Sequence, residues 1–567
     1  MYQASLSYPS EIVPILELAL SLVAALLALW RPRRLERPLR TAWRWLGALG
    51  SRRAVLASAT FGLLASAASM IWLGPPIPRI SDEFGYLLVA DTLAHGRLTN
   101  PTPRVPEAFE AIHAVVRPSY NSKYPPGSAV LLAVGQRLGH PAIGICLGAA
   151  LLAAACCWFL QGWVPPPWPL VGSSLLVLRV VGSYWGQSYW GGVAAAVGGL
   201  LLYGALPRLQ TRDGGAGRLA WGPLALGVLL LATTRPLEGA LAVLPAAVVI
   251  GAALVRHRRH WLHSGERRRE AVALALALAT AGVGIGAYNR AVTGNPLRMP
   301  YQLHVTTYGV DAVSPYFAPP PPVTYSSPVL RAHLAKDFPR PRSWPEALAK
   351  GAGNFTRMIF FISGVPLMIF AVLALRRLPR GRRLTRWKLF ALLCSLLPAL
   401  LHTVTAWWFP HYSAAATGPV MLLAVLGMRE ASAVRWRGRR LGPWLAAGAL
   451  LVRVPMTLVE LPAFRPDPED SSRFVQDLER DFAARGERAV VVVDDRLRAR
   501  EEWVYNPADL ERAPVLWIQD LGPGVTARVA AAYAPRRVYR LVPDEDDGPP
   551  HLIAARPEAP PETRSPG

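Results

Sequence analysis

Apolar runs of about twenty residues, each bounded by Arg clusters or by Pro and Gly, recur along the chain as far as Leu461. That is the length a helix needs to cross a hydrocarbon core of about 30 Å. Twelve such segments are expected: Ile12–Trp30, Ala54–Leu73, Ile143–Trp163, Trp168–Val181, Val193–Leu206, Trp221–Ala232, Leu241–Val255, Ala271–Tyr288, Gly351–Leu375, Leu389–Trp407, Tyr412–Gly427 and Trp444–Leu461. A shorter apolar piece, Ser128–Leu138, predicts a membrane-surface or re-entrant helix. Two polar stretches interrupt the series, residues 74–127 and 289–350, and the second is too long for a simple connection.

Beyond Arg465 the period changes. SSRFVQDLERDFAARG predicts an amphipathic helix with a Ser cap, while RAVVVVDD, APVLWIQD and RRVYRLVPD predict strands, with a helix over Val525–Tyr533 before the last. The expected division is therefore a first span and basic loop over 1–53, a transmembrane module over 54–462, a small soluble α/β domain over 463–557 and a Pro-rich disordered tail over 558–567.

Composition supports the membrane reading, with 52% hydrophobic residues, 19 Trp and only 17% charged residues, against about 25% charged in ordinary soluble proteins. The net charge of +24 does not imply nucleic acid, because the basic residues sit in five short inter-helix loops, Arg31–Arg53, Arg208–Arg218, Arg256–Arg269, Arg376–Lys388 and Arg429–Arg440. Placing those loops in the cytoplasm puts 74–127, 289–350 and the α/β domain outside a bacterial inner membrane. No basic n-region precedes the first run, so a cleaved leader is not expected. The four Cys fall in apolar segments and form neither a disulfide framework nor a metal spacing.

Polar residues that can do chemistry gather in the expected outer loops. Asp82 and Glu83 open the stretch SDEFGYLLVADTLAHG. Ser81 with two acids in the first turn is also a sufficient helix start, with Gly96 as its stop. A carboxylate there can instead take the proton of an attacking hydroxyl. Lys123 in SKYPPG is either a snorkelling interfacial lysine anchored by Tyr124 or a cation for a phosphate. Arg235 in TTRPLEG lies in a tight outer turn, where either Glu238 or a lipid phosphate answers its charge. Tyr184, Trp185, Tyr189 and Trp190, interleaved with Gln187 and glycines, predict an aromatic belt, with sugar stacking as the other use. Tyr86, His113, His304 with Tyr301, and His411 with Tyr412 complete the outer-loop set. There is no H-E-x-x-H, P-loop or C-x-x-C, and the run Asp544-Glu545-Asp546 reads as a solvated turn.

Taken together, Asp82-Glu83 after a span, Lys123-Tyr124-Pro125-Pro126-Gly127 re-entering the membrane, Arg235-Pro236-Leu237-Glu238-Gly239 at an outer turn and Thr293-Gly294-Asn295-Pro296-Leu297 resemble the GT-C superfamily of membrane glycosyltransferases, in its protein O-mannosyltransferase and aminoarabinose-transferase branch. The resemblance covers roughly Leu63 to Val425. It implies a helical polytopic fold of about twelve spans and a polyprenyl-phosphate sugar donor. The sugar, a hexose or pentose, passes with inversion to a glycan, lipid or protein acceptor. It also implies Asp82 as base with Glu83 in support, and Lys123, Arg235, Arg298 and His411 as candidates for the phosphate. Tyr86, His113, Tyr124, Trp185, Gln187, Glu238, Tyr301 and His304 are the expected pocket, and a divalent metal is neither required nor excluded. Departures from the pattern are the additional first span, His411-Tyr412 in place of Arg-Tyr, and a C-terminal α/β segment in place of a β-trefoil. The competing reading is a lipid or glycan transporter, which predicts ions inside broken helices; the sequence alone displays no such cluster. A third makes the C-terminal segment an interaction module anchored by the spans.

Overall fold

The computed structural model describes residues 12–30, 33–210, 220–256, 265–309, 322–335, 343–376, 383–401, 403, 408–436, 439–466, 470–498, 503–544 and 549–555. Parts of the basic loops, Glu545 and Asp546 of the acidic run, and the 558–567 tail lie outside the described residues. The chain is a predominantly helical membrane protein with a small C-terminal α/β region. Each of the twelve expected apolar segments falls on a helix. Among the described residues, eight helices are long and apolar enough to cross a membrane, and three shorter apolar helices, Trp168–Val181, Val193–Leu209 and Trp221–Thr234, accompany them. The twelfth segment is the helix Arg383–Leu401. Their outward faces carry exposed Ile15, Leu56, Ile71 and Val283, side chains that lipid can cover.

The chain divides into two compact units. The first, residues 1–76, 142–282 and 340–465, holds most of the apolar helices. Its tightest crossing sets the Trp344–Arg376 helix against Thr417–Ser432, where Gly427 is required because a Cβ there would overlap the Phe370 carbonyl. Between the helices lies a buried network of charges that the sequence did not display as a cluster. Arg179 Nη1 is 2.7 Å from Glu460 Oε1, Arg453 pairs with the other oxygen of Glu460, and Arg453 Nη1 is 3.8 Å from Glu17 Oε1. Arg179 also donates to the Phe361 carbonyl at 2.7 Å, and Glu17 accepts from the Val365 N–H at 3.0 Å. That N–H is available because the long helix breaks at Gly364, whose φ of +66° suits glycine. Two Arg and two Glu thus balance one another inside apolar helices, as ionisable groups at membrane depth require.

The second unit, residues 77–141, 283–339 and 466–567, is assembled from the two polar stretches and the C-terminal segment. A two-residue hairpin pairs β1 (Ala114–Val115) with β2 (Asn121–Ser122). The four-stranded sheet runs in the order β4 (Val515–Gln519), β3 (Ala489–Val493), β5 (Arg537–Val542) and β6 (His551–Ala554), with the last strand antiparallel to an otherwise parallel set. β3 and β4 are buried along their whole length, as parallel strands covered on both faces are. The sheet shares one core with the first polar stretch: Leu88, Val105, Phe109, Val116 and Tyr120 pack with Val490, Leu516, Ile518 and Val538. Arg79 Nε to Asp470 Oδ2 at 2.6 Å and the Tyr120 hydroxyl to the Asn506 carbonyl at 2.9 Å reinforce the join. The helix Ser81–Ala94, which carries the acidic pair, is therefore mounted on a rigid base. The predicted short helix is Ala129–Arg137, and its Gln136 amide donates to Asp91 at 2.6 Å on the Ser81–Ala94 helix.

Candidate functional site

The acidic pair separates into two environments. The N-cap of the Ser81–Ala94 helix is Ile80, so Ser81 is the first helical residue and does not cap it, contrary to the sequence expectation. Glu83, three residues after the cap and buried, turns back and accepts the Arg79 N–H at 2.8 Å, satisfying a donor at the helix entry. Asp82, one residue earlier, points away from the helix start. Its Oδ1 accepts the Tyr124 hydroxyl at 2.5 Å, and its Oδ2 stands 3.6 Å from His113 Nε2.

Around Asp82 the second unit gathers Tyr86, His113, Lys123, Tyr124, Tyr301 and His304, half of the other expected site residues. Tyr124 stacks on Tyr86 with ring centroids 4.4 Å apart and meets His113 edge-on at 5.4 Å. Lys123 is buried, with its ammonium 5.2 Å from the Tyr124 ring centre and 5.3 Å from that of Tyr301, within cation–π range of both. His304 lies beyond His113 at a centroid distance of 6.2 Å, and its Nε2 meets the Tyr325 hydroxyl at 3.0 Å. The backbone of the hairpin sets these positions, because the His113 carbonyl accepts the Lys123 N–H at 2.9 Å.

Burial alone would raise the Asp82 pKa. The facing His113, the Lys123 charge and the Tyr124 hydroxyl outweigh burial and hold the carboxyl well below the ordinary range. His113 is pushed down to about 4 by burial and by Lys123, against the opposing pull of Asp82. His304 is held well below the usual histidine value by burial, Lys123 and His113. At neutral pH the site therefore contains a carboxylate, two neutral imidazoles and a buried lysine.

Arg298 lies in the same unit but in a different setting. It follows the turn at Thr293–Leu297, where the Asn295 side chain accepts the Leu297 N–H at 2.9 Å and Gly294 takes a φ of +80°, and its guanidinium bonds Thr306. The familiar TGNPL motif thus acts here as a helix stop.

The other expected residues belong to the first unit. Arg235 closes the Trp221–Thr234 helix, with Nη1 3.8 Å from Glu238 Oε1 and its guanidinium 4.6 Å from the Tyr412 ring centre. The internal partner considered for Arg235 is thus present. His411 is fully buried, with Nδ1 2.8 Å from the Tyr184 hydroxyl and its ring parallel to Phe409 at 5.6 Å. Gln187 donates to Ser69 Oγ and to the Val181 carbonyl, both at 2.9 Å. Tyr184, Trp185, Tyr189 and Trp190 are all buried, which overturns the aromatic-belt expectation, since a belt residue faces the membrane surface. Glycines between them permit this packing: a Cβ on Gly192 would strike the Trp185 ring at 2.4 Å. Among the described residues no group of three or more His, Cys, Asp or Glu side chains is gathered to hold a metal ion.

No known protein family and no curated protein matches the sequence. Among solved structures, the chain is similar to ArnT from Cupriavidus metallidurans bound to undecaprenyl phosphate, at 14% identity over 85% of this chain and 92% of that one, with a TM-score of 0.49. It is also similar to the oligosaccharyltransferase of Archaeoglobus fulgidus in its apo form, at 11% identity over 81% of this chain and 65% of that one, with a TM-score of 0.41. The archaeal oligosaccharyltransferase AglB from Archaeoglobus fulgidus, in complex with an inhibitory peptide and a dolichol-phosphate, matches at 11% identity, 86% and 69% coverage and a TM-score of 0.38.

Proposed function

We propose that the chain is a glycosyltransferase that moves a sugar from a polyprenyl-phosphate donor to a hydroxyl acceptor on the outer face of a bacterial inner membrane. The observation that carries this reading is the meeting of Asp82 with Lys123 about Tyr124, which bonds the carboxylate through its hydroxyl and faces the ammonium with its ring. In the reaction the acceptor oxygen attacks the anomeric carbon, the bond from that carbon to the phosphate oxygen breaks, and the electron pair leaves with the phosphate. The acceptor proton passes to Asp82, and Lys123 balances the departing charge. Inversion follows from the single displacement.

A carboxylate held so far below its usual range is always ionised but weakly basic. That suits a transition state in which the sugar carries positive charge early, as glycosyl transition states do. The acceptor oxygen becomes acidic as it bonds, so proton transfer is late and needs a placed acceptor more than a strong one. Glu83 supports Asp82 by fixing the helix entry. The phosphate roles of Arg235, Arg298 and His411, and the pocket roles of Trp185, Gln187 and Glu238, rest on the motif resemblance alone.

The test offers membranes containing the full chain a panel of radiolabelled undecaprenyl-phosphate sugars, two hexoses and two pentoses, and follows label into acceptor glycan, lipid and protein. Transfer by wild type and its loss in Asp82→Asn is the expected result. Full transfer by the variant removes Asp82 as base. Movement of labelled lipid across vesicles without a glycosylated product replaces the reading by transport, the alternative for which the buried ion network beside the helix break at Gly364 in the first unit speaks.

A further inference from the structure

His113 is the one non-glycine residue with a left-handed backbone among the described residues, at φ +69°. Side chains with a Cβ adopt that region at a cost, and such strain persists only where surrounding structure imposes it. The imposition is visible: the His113 carbonyl is tied to the Lys123 N–H, and Ala114, the next residue, is paired with Ser122 across the hairpin. A turn that merely needed this conformation would be better served by glycine. What histidine adds is a ring that is largely buried, with Nε2 facing Oδ2 of Asp82 and Nδ1 buried without a hydrogen-bond partner. The ring is thus held for its contact with one carboxylate oxygen, while Tyr124 holds the other.

We propose that His113 is the positioning residue of Asp82: its imidazole fixes the orientation of the carboxylate and favours its ionised form as substrates arrive. The proposal rests on the reading that Asp82 receives the acceptor proton. The 3.6 Å separation is longer than a hydrogen bond, and contacts of this kind tighten when a site is occupied. The charged and titratable groups that face His113 are Asp82 on the Ser81–Ala94 helix, Lys123 and Tyr124 after β2, and His304 on the Pro300–Tyr308 helix. Of these only Asp82 pulls a proton toward the imidazole. Burial and, after it, Lys123 oppose that pull, which keeps the ring a neutral donor near pH 7.

The variant that separates position from fold is His113→Gly, since glycine accepts the backbone without strain and deletes the ring. Full-length protein in membranes is assayed with the undecaprenyl-phosphate sugar that wild type transfers best, following kcat, donor KM and the acid limb of kcat/KM, with the thermal midpoint measured alongside. The expected result is a midpoint no lower than wild type, a kcat reduced about tenfold, an unchanged donor KM, and an acid limb moved toward neutral pH by about one unit. Wild-type kcat and acid limb in a folded His113→Gly protein overturn the proposal. If that variant fails to fold, His113→Asn, which tolerates the left-handed region, is read by the same criteria. Asp82→Asn measured in parallel separates the two claims: an inactive Asp82→Asn with a fully active His113→Gly sinks only the role of His113, whereas an active Asp82→Asn sinks the base.

Discussion

The Tyr124 hydroxyl donates to Oδ1 of Asp82 at 2.5 Å, joining two residues that lie 42 positions apart. Each comes from one of the motifs singled out in the sequence, the acidic pair and SKYPPG. One motif therefore controls the basicity of the other, and Lys123 has its charge beside the same ring.

Replacing Asp82 with Asn should lower sugar transfer by about 10²–10⁴-fold, the usual contribution of a placed general base. Its thermal midpoint should fall below wild type, because Asn keeps an acceptor for the Tyr124 hydroxyl but loses the favourable interactions of the charged carboxylate with His113 and Lys123. Transfer kinetics and thermal unfolding in detergent check the two halves separately.

Tyr124→Phe should behave differently from Asp82→Asn. The stacking on Tyr86 survives while the carboxylate loses one donor, so the Asp82 pKa rises and the acid limb of kcat/KM moves toward neutral pH. A hydrogen bond to a charged group contributes about 1.5–3 kcal/mol, and a loss of that order should appear in stability. A pH–rate profile that does not move would deny Tyr124 its influence on Asp82.

Glu83 provides a contrast inside the acidic pair. Glu83→Gln keeps an oxygen for the Arg79 N–H and should retain most activity, whereas Glu83→Ala leaves that donor without its partner at a cost of about 1 kcal/mol. Transfer rates for the two variants differ if the role of Glu83 is to fix the helix entry. Equal and complete loss in both would instead make its charge part of the chemistry.

The apolar segments were legible because runs of about twenty apolar residues have few other uses. The acidic pair was legible as a location but not as two roles, since Ser-Asp-Glu fits a helix start equally well, and only the placement of the cap on Ile80 separates Glu83 from Asp82. His113 carried no local signal: its backbone conformation depends on the pairing of Ala114 with Ser122, and its target is 31 residues away. Glu17, Arg179, Arg453 and Glu460 lie on three separate apolar helices. Arg179 and Glu460 are 281 positions apart, and no periodicity connects them. The common core of the α/β segment with Leu88, Phe109 and Tyr120 was hidden for the same reason.

That network makes a sharp stability prediction. Glu460 answers both Arg179 and Arg453, so Glu460→Leu strands two buried guanidinium groups and should cost about 3–5 kcal/mol, as breaking buried pairs does. Gly364→Ala attacks the same place through the backbone, because its Cβ would lie 2.4 Å from Glu17 Oε1 at a φ that disfavours side chains. Both should lower the thermal midpoint before they alter donor KM.

The pH dependence of stability follows from two histidines and one aspartate outside the membrane spans. His113 titrates at about 4 in the folded protein against 6.5 for an ordinary histidine, so between those values the unfolded chain binds a proton that the folded one refuses. Stability must then rise with pH across that window, by roughly 3 kcal/mol for His113, and His304 acts in the same direction. Asp82 has the opposite origin but the same sign at lower pH: its depressed pKa stabilises the fold above the ordinary value of 3.8, and that contribution is lost as pH falls through its folded value. The thermal midpoint of wild type should therefore decline from about pH 6.5 downward, and steeply again below about pH 4. His113→Gly should flatten the upper part of the decline and, because the ring helps hold the Asp82 carboxyl down, reduce the lower part as well. A wild-type midpoint that is constant from pH 6.5 to pH 4 would contradict the neutral, buried imidazoles on which the site description depends.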